Sequence, residues 1–137
     1  MAISEFRYTR RVQFAETDLA GVVHFSWYFR YMEEAEHALW REAGLSIAPP
    51  GQIGFPRVAA AVDFQAPLRF EDVFEVHVRI EAITRRSIRY AHRILKDGQP
   101  VATGTMTAVC VTRDPELRAT EIPDSILTRL APATGAS

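Results

Sequence analysis

Only one stretch of this 137-residue sequence carries apolar side chains at helical spacing over several turns: Tyr28, Tyr31, Met32, Ala35, Leu39 and Ala43 form one stripe. Ser26 stands where a cap can start that helix and Gly44 where the chain can leave it. About 17 residues at 1.5 Å each span roughly 25 Å, enough to cross a sheet. Arg30, Glu33 and His37 fall on the opposite side. A lone helix cannot supply the crossovers of a parallel sheet. The spacing therefore predicts an α+β fold, an antiparallel sheet packed on one long central helix.

The strands are read from alternation. Phe6, Tyr8, Val12 and Phe14 alternate with Arg7, Thr9, Arg11 and Gln13 ahead of the helix. After a loop over 46–54 containing Pro49-Pro50-Gly51, a second strand is expected near 56–65. A third carries Phe74, Val76, Val78 and Ile80, and a fourth Ile88, Tyr90, His92 and Ile94. Lys96-Asp97-Gly98-Gln99 predicts a tight hairpin, since Asp-Gly supplies the positive φ such turns require. The last long strand, 101–112, is expected to put Val101, Val109 and Val111 on one face, with Thr103, Thr105 and Thr107 between them. An amphipathic segment over 123–130 closes the domain as a helical turn. One domain over 1–131 is expected, with a flexible tail over 132–137. A sheet of this kind leaves an edge and a face needing cover, which predicts a dimer.

Composition narrows the function. With 47% hydrophobic and 24% charged residues, the chain has the balance of a soluble globular domain. A net charge of −1 gives no field to recruit nucleic acid or an anionic membrane. No apolar run has the length of a membrane span or the pattern of a signal peptide, so a cytoplasmic location is expected. The one cysteine, Cys110, permits neither an internal disulfide nor a cysteine zinc site, and it sits in an alternating strand as a small hydrophobe. No serine lies in a G-x-S-x-G elbow, and there is no G-x-x-x-x-G-K-S/T or G-x-G-x-x-G. Glu33 and His37 have the spacing of metal ligands but lack a third. With Arg30 and Glu34 they read as ordinary helix pairs, and no metal is expected.

The segment 16–28 is the unusual one. Asp18 reads equally as an Asx turn or as a catalyst, Gly21 as a tight bend, and His24 as a core or dimer-contact histidine. In the functional reading, the helix N-terminus offers free N–H groups and positive dipole to a thioester carbonyl that gains negative charge. A carboxylate three residues before the glycine can face that carbonyl. It can act as a base on water or as a nucleophile forming an anhydride.

The stretch VQFAETDLAGVVHFSWYFRYMEEAEHALWREAGL resembles the 4-hydroxybenzoyl-CoA thioesterase-like branch of the hotdog-fold acyl-CoA thioesterases. The likeness continues through FPRVAAAVDFQAPLRFEDVFEV, the TRRS segment and the AVCV strand. It implies a sheet wrapped around a central helix, homodimers that often pair into homotetramers, and active sites at the dimer interface. The implied reaction is hydrolysis of an acyl-CoA to free acid and CoA, with no cofactor beyond the CoA of the substrate. By this resemblance Asp18 matches the catalytic carboxylate, the Phe25 backbone N–H matches the amide that polarises the carbonyl, and Gly21 matches the glycine that permits close approach. Arg85-Arg86-Ser87, following Thr84, match the residues that hold the nucleotide end of CoA, where arginine offers a fork of charge-assisted donors. The same three read as a solvated strand start.

One departure is His24-Phe25, where many members carry Tyr-His, so no side-chain role of that second-position histidine carries over. The order His-Phe looks like thioesterases acting on dihydroxynaphthoyl-CoA. His24, Trp27 and Tyr28, with Phe25, are candidates to contact the acyl group or to be core. Two alternatives stand beside hydrolysis. One is an acyl-thioester dehydratase or hydratase, whose helix entry reads His-Phe-Pro-Gly where this chain has His24-Phe25-Ser26-Trp27. The other is a non-catalytic acyl-CoA binding protein of the same fold.

Overall fold

The computed structural model describes residues 2–47, 53–113 and 115–134. In chain order its elements are β1 (Glu5–Arg11), a 3-10 turn (Phe14–Glu16), α1 (Ser26–Glu42), β2 (Ile53–Gly54), β3 (Arg57–Phe64), β4 (Val73–Ile83), β5 (Ser87–Lys96), β6 (Gln99–Val109), β7 (Val111–Thr112), β8 (Arg118–Ala119) and α2 (Asp124–Leu127). Among these residues no helix is long and apolar enough to cross a membrane.

Alternation dictates the main sheet. Phe74, Val76, Val78 and Ile80 of β4 and Ile88, Tyr90, His92 and Ile94 of β5 are all buried, because these strands turn one face to α1. Asp97 (φ 51°) and Gly98 (φ 76°) make the tight turn into β6. All pairings are antiparallel and the strand order is β1-β4-β5-β6-β3. The helix runs along the inner face. Tyr31 meets Phe74 near the start of β4 at 4.6 Å between ring centroids, and Trp40 donates from Nε1 to the Tyr90 hydroxyl at 2.8 Å farther along. Each fully buried aromatic or aliphatic side chain of this layer contributes about 1.5–3 kcal/mol.

Several expectations are corrected. The core face of β6 is Ala102, Gly104, Met106 and Ala108, with the three threonines on the opposite, half-buried face. Val101 is buried where the register slips by one residue. Gly104 has no room for a side chain: a Cβ there would come within 2.7 Å of Met32 Cε of α1 and 2.8 Å of the Ala61 carbonyl oxygen. The strand also ends at Val109. Beyond Cys110 the chain enters a second small sheet, β2-β7-β8, that alternation did not reveal. Phe14 lies beyond β1, 74% exposed and edge-on to Phe70. Ser26 is the first helical residue, and Phe25 holds the cap position.

Glu33 and His37 are half-buried around a 160 Å³ cavity shared with Glu36, Trp40, Phe55 and Arg57. Arg30 and Glu34 do not pair: Arg30 covers the Trp27 ring at 5.4 Å, and Glu34 accepts from Tyr8 and Arg10. Past Pro132 the chain is still tied down, Ala133 N–H donating to the Ile80 carbonyl at 2.8 Å. Pro49-Pro50-Gly51 and 135–137 lie outside the described residues.

Candidate active site

Between β1 and α1 the chain folds into a miniature hairpin. His24 N–H donates to the Glu16 carbonyl at 2.8 Å, Thr17 bridges Val23, and Asp18 N–H donates to the Val22 carbonyl at 2.8 Å. Gly21, at φ +82°, closes the corner by donating to the Asp18 carbonyl at 3.0 Å. A side chain there would strain the left-handed backbone. Asp18 Oδ1 accepts from Ala20 N–H at 2.8 Å and Val22 N–H at 3.4 Å. The Asx turn is therefore real. It consumes one carboxylate oxygen and leaves Oδ2 without a hydrogen bond among the described residues. Val23 N–H, donating to the Leu68 carbonyl at 2.8 Å, ties the hairpin to the entry of β4.

The hairpin delivers the chain into α1. His24 is exposed rather than core; its Nδ1 lies 2.8 Å from Ser26 Oγ and accepts the Ser26 N–H at 3.2 Å, so the imidazole satisfies one orphan donor of the helix start. Its ring stacks on Phe25 at 4.6 Å. Phe25 is 62% exposed, and its N–H has no acceptor among the described residues. It lines a 330 Å³ groove with Val22, Val23, Tyr28, Phe64 and Pro67. Tyr28 is buried and edge-on to Phe64 at 4.9 Å; Trp27 is half-buried and tilted against Tyr31 at 6.1 Å. Phe25 is thus groove wall, and Tyr28 is wall and core at once. Among the described residues no group of three His, Cys, Asp or Glu could hold a metal ion.

A charged cluster lies directly under the hairpin. Glu16, 2% exposed, accepts from Arg10 through Nη1 (2.9 Å) and Nη2 (2.7 Å), from the Tyr31 hydroxyl (2.6 Å) and from the Gln13 N–H (3.0 Å). Burial alone would raise the Glu16 carboxyl, but the Arg10, Gln13 and Tyr31 hydrogen bonds outweigh it and hold the group below the usual carboxylate range. Arg10 also donates to Glu34 at 2.9 Å. Reading the sequence missed this cluster. A signal was present: Arg10 shares the inward face of β1 with Phe6 and Tyr8, and an arginine there needs a buried acid.

With this geometry in hand, comparison with known proteins is decisive. A model of the Thioesterase-like superfamily matches residues 12–130. The chain belongs to that superfamily. It is 28% identical over 113 residues to a 1,4-dihydroxy-2-naphthoyl-CoA hydrolase of Synechococcus elongatus, covering 80% of this chain and 83% of the relative. It is 27% identical over 125 residues to a 4-hydroxybenzoyl-CoA thioesterase of Pseudomonas sp., covering 83% and 89%. A solved gentisyl-coenzyme A thioesterase superposes with a TM-score of 0.83 at 31% identity, covering 92% of this chain and all of that one. The fold is the hotdog, as the resemblance implied.

In this thioesterase-like chain, Thr84, Arg85 and Arg86 form the β4–β5 turn and Ser87 is the first residue of β5. Thr84 Oγ1 lies 2.7 Å from Ser87 Oγ and accepts the Ser87 N–H at 3.0 Å, while both arginines are exposed. The hairpin and Phe25 sit beside the entry of β4, and this turn lies past its exit. Eleven residues at about 3.3 Å each separate the two by roughly 35 Å. One chain does not bring them together.

Proposed function

We propose that this chain hydrolyses an acyl-CoA thioester whose acyl group is aromatic, releasing the free acid and CoA. The observation that carries the reading is a pair of exposed groups on one hydrogen-bonded segment that no described residue engages: Asp18 Oδ2 on the hairpin and the Phe25 N–H at the mouth of a 17-residue helix. The N–H and the helix dipole stabilise the oxyanion as the thioester carbonyl is attacked. The Asp18 carboxylate either takes the proton from an attacking water or attacks the carbonyl carbon itself, giving an anhydride that water opens. On both routes the carbon–sulfur bond breaks and the thiolate leaves with CoA.

The groove beside Phe25, walled by Tyr28 and Phe64, suits a flat ring. The naphthoyl, hydroxybenzoyl and gentisyl groups named for the relatives are of that kind. The groove ends at Phe64 on β3, an edge strand whose Val58 and Phe64 are exposed. A second copy paired along that edge would close the groove and cover the unpaired backbone. We assign the working unit to a homodimer or larger assembly, in which the arginines of a second copy supply phosphate contacts that the chain's own Arg85 and Arg86 are too distant to make.

Steady-state thiol release across aryl-CoA and straight-chain acyl-CoA substrates tests the assignment. Higher kcat/KM for aryl-CoA is expected. Uniform rates, or a preference for long aliphatic chains, would remove the aromatic assignment.

A further inference from the structure

Glu16 is two residues before Asp18, yet it cannot share Asp18's chemistry. It is 2% exposed, and both its oxygens are engaged by Arg10, Tyr31 and Gln13. Its surroundings point to a different task. The Glu16 carbonyl takes the His24 N–H at 2.8 Å, the rung that sits at the base of the hairpin next to Phe25. The Glu16 carboxylate is held by Arg10 of β1 and Tyr31 of α1, and Arg10 is also tied to Glu34 of α1 at 2.9 Å. One residue thus connects sheet, helix and the segment that carries the Asp18 carboxylate and the Phe25 N–H. A buried ion pair is a weak way to gain stability over apolar packing, because two charges must be desolvated. It is an effective way to fix a register, since each bond has a narrow geometry.

We propose that Glu16 is a positioning residue, clamped by Arg10 and Tyr31 so that the hairpin holds the Asp18 carboxylate in register with the Phe25 N–H. This rests on the reading of Asp18 and Phe25 given above. Small misplacements of reacting groups cost about 100-fold in rate, so a looser hairpin lowers turnover more than substrate binding.

The test is a double-mutant cycle. Glu16→Gln and Tyr31→Phe are each made alone and with Asp18→Asn, and kcat and KM for CoA-thiol release are measured on proteins shown folded by circular dichroism. Expected is a fall in kcat of about 10- to 100-fold for Glu16→Gln, a smaller fall for Tyr31→Phe, KM little changed, and no further loss when Asp18 is already asparagine. If Glu16→Gln does not fold, Tyr31→Phe reads the same coupling with the ion pair intact. Equal losses with and without Asp18 would mean that the cluster serves the fold alone and would overturn the inference. So would a rise in KM at unchanged kcat. Wild-type kcat in Asp18→Asn alone overturns the functional reading and this inference with it; a large Asp18→Asn defect with additive losses overturns this inference only.

Discussion

Replacing Glu36 with glutamine takes away the negative charge that Arg57 and His92 share inside the domain. Glu36 Oε2 accepts from His92 Nε2 at 2.7 Å, and Oε1 accepts from the Arg57 guanidinium. Both residues have further buried nitrogens, Arg57 Nε and His92 Nδ1, without a partner among the described residues. Removing one member of a buried pair costs about 3–5 kcal/mol, because the remaining charge stays desolvated. The Arg57 side chain keeps 23% of its surface, so the lower end, about 3 kcal/mol, applies. For 137 residues, unfolding entropy is roughly 0.29 kcal/mol/K, so the melting temperature should fall by about 10 °C. The control is Glu75→Gln, which opens the exposed 3.1 Å pair with Arg7 and should cost about 0–1 kcal/mol, or at most ~3 °C. Thermal melts by circular dichroism at neutral pH read both. Equal shifts in the two variants would refute the reasoning, as would a Glu36→Gln shift as small as the control's.

Two further outcomes follow from packing and charge. Gly104→Ala forces a Cβ against Met32 and the Ala61 carbonyl and should cost about 1–3 kcal/mol, a drop of roughly 3–10 °C in the same melts; an unchanged melt would mean the helix yields freely. Glu16 has a folded-state pKa below its unfolded value near 4.5. The stability it adds is therefore present above that value and lost as pH falls through the folded one. Melting temperatures followed into acid should drop more steeply in the wild type than in Glu16→Gln, and parallel curves would contradict the assignment.

Local periodicity made β4, β5, the Asp97-Gly98 turn and the helical stripe readable, because each depends on neighbours within a few residues. Asp18 and Gly21 were readable as a turn for the same reason, and the resemblance is what made them candidates for a site. What escaped is set by distant partners. The inner face of β6 is built from Ala102, Gly104, Met106 and Ala108, with Gly104 where Met32 leaves no room for a side chain, and alanine and glycine carry little hydrophobic signal. Glu36 is one of several carboxylates on the helix, and its partner His92 lies 56 positions on. Arg10 and Glu16 depend on Tyr31 across the domain. Arg85 and Arg86 matched a motif, but only three dimensions show that their own chain places them far from Asp18.

The most direct test of the central claim is CoA-thiol release by Asp18→Asn beside the wild type, with an aryl-CoA substrate and folding checked by thermal melt. The hairpin's Asx turn can be kept by the asparagine oxygen, so the melt should be preserved. A loss of about 10²- to 10⁴-fold in kcat is predicted. A folded Asp18→Asn protein that turns over at the wild-type rate would contradict the account.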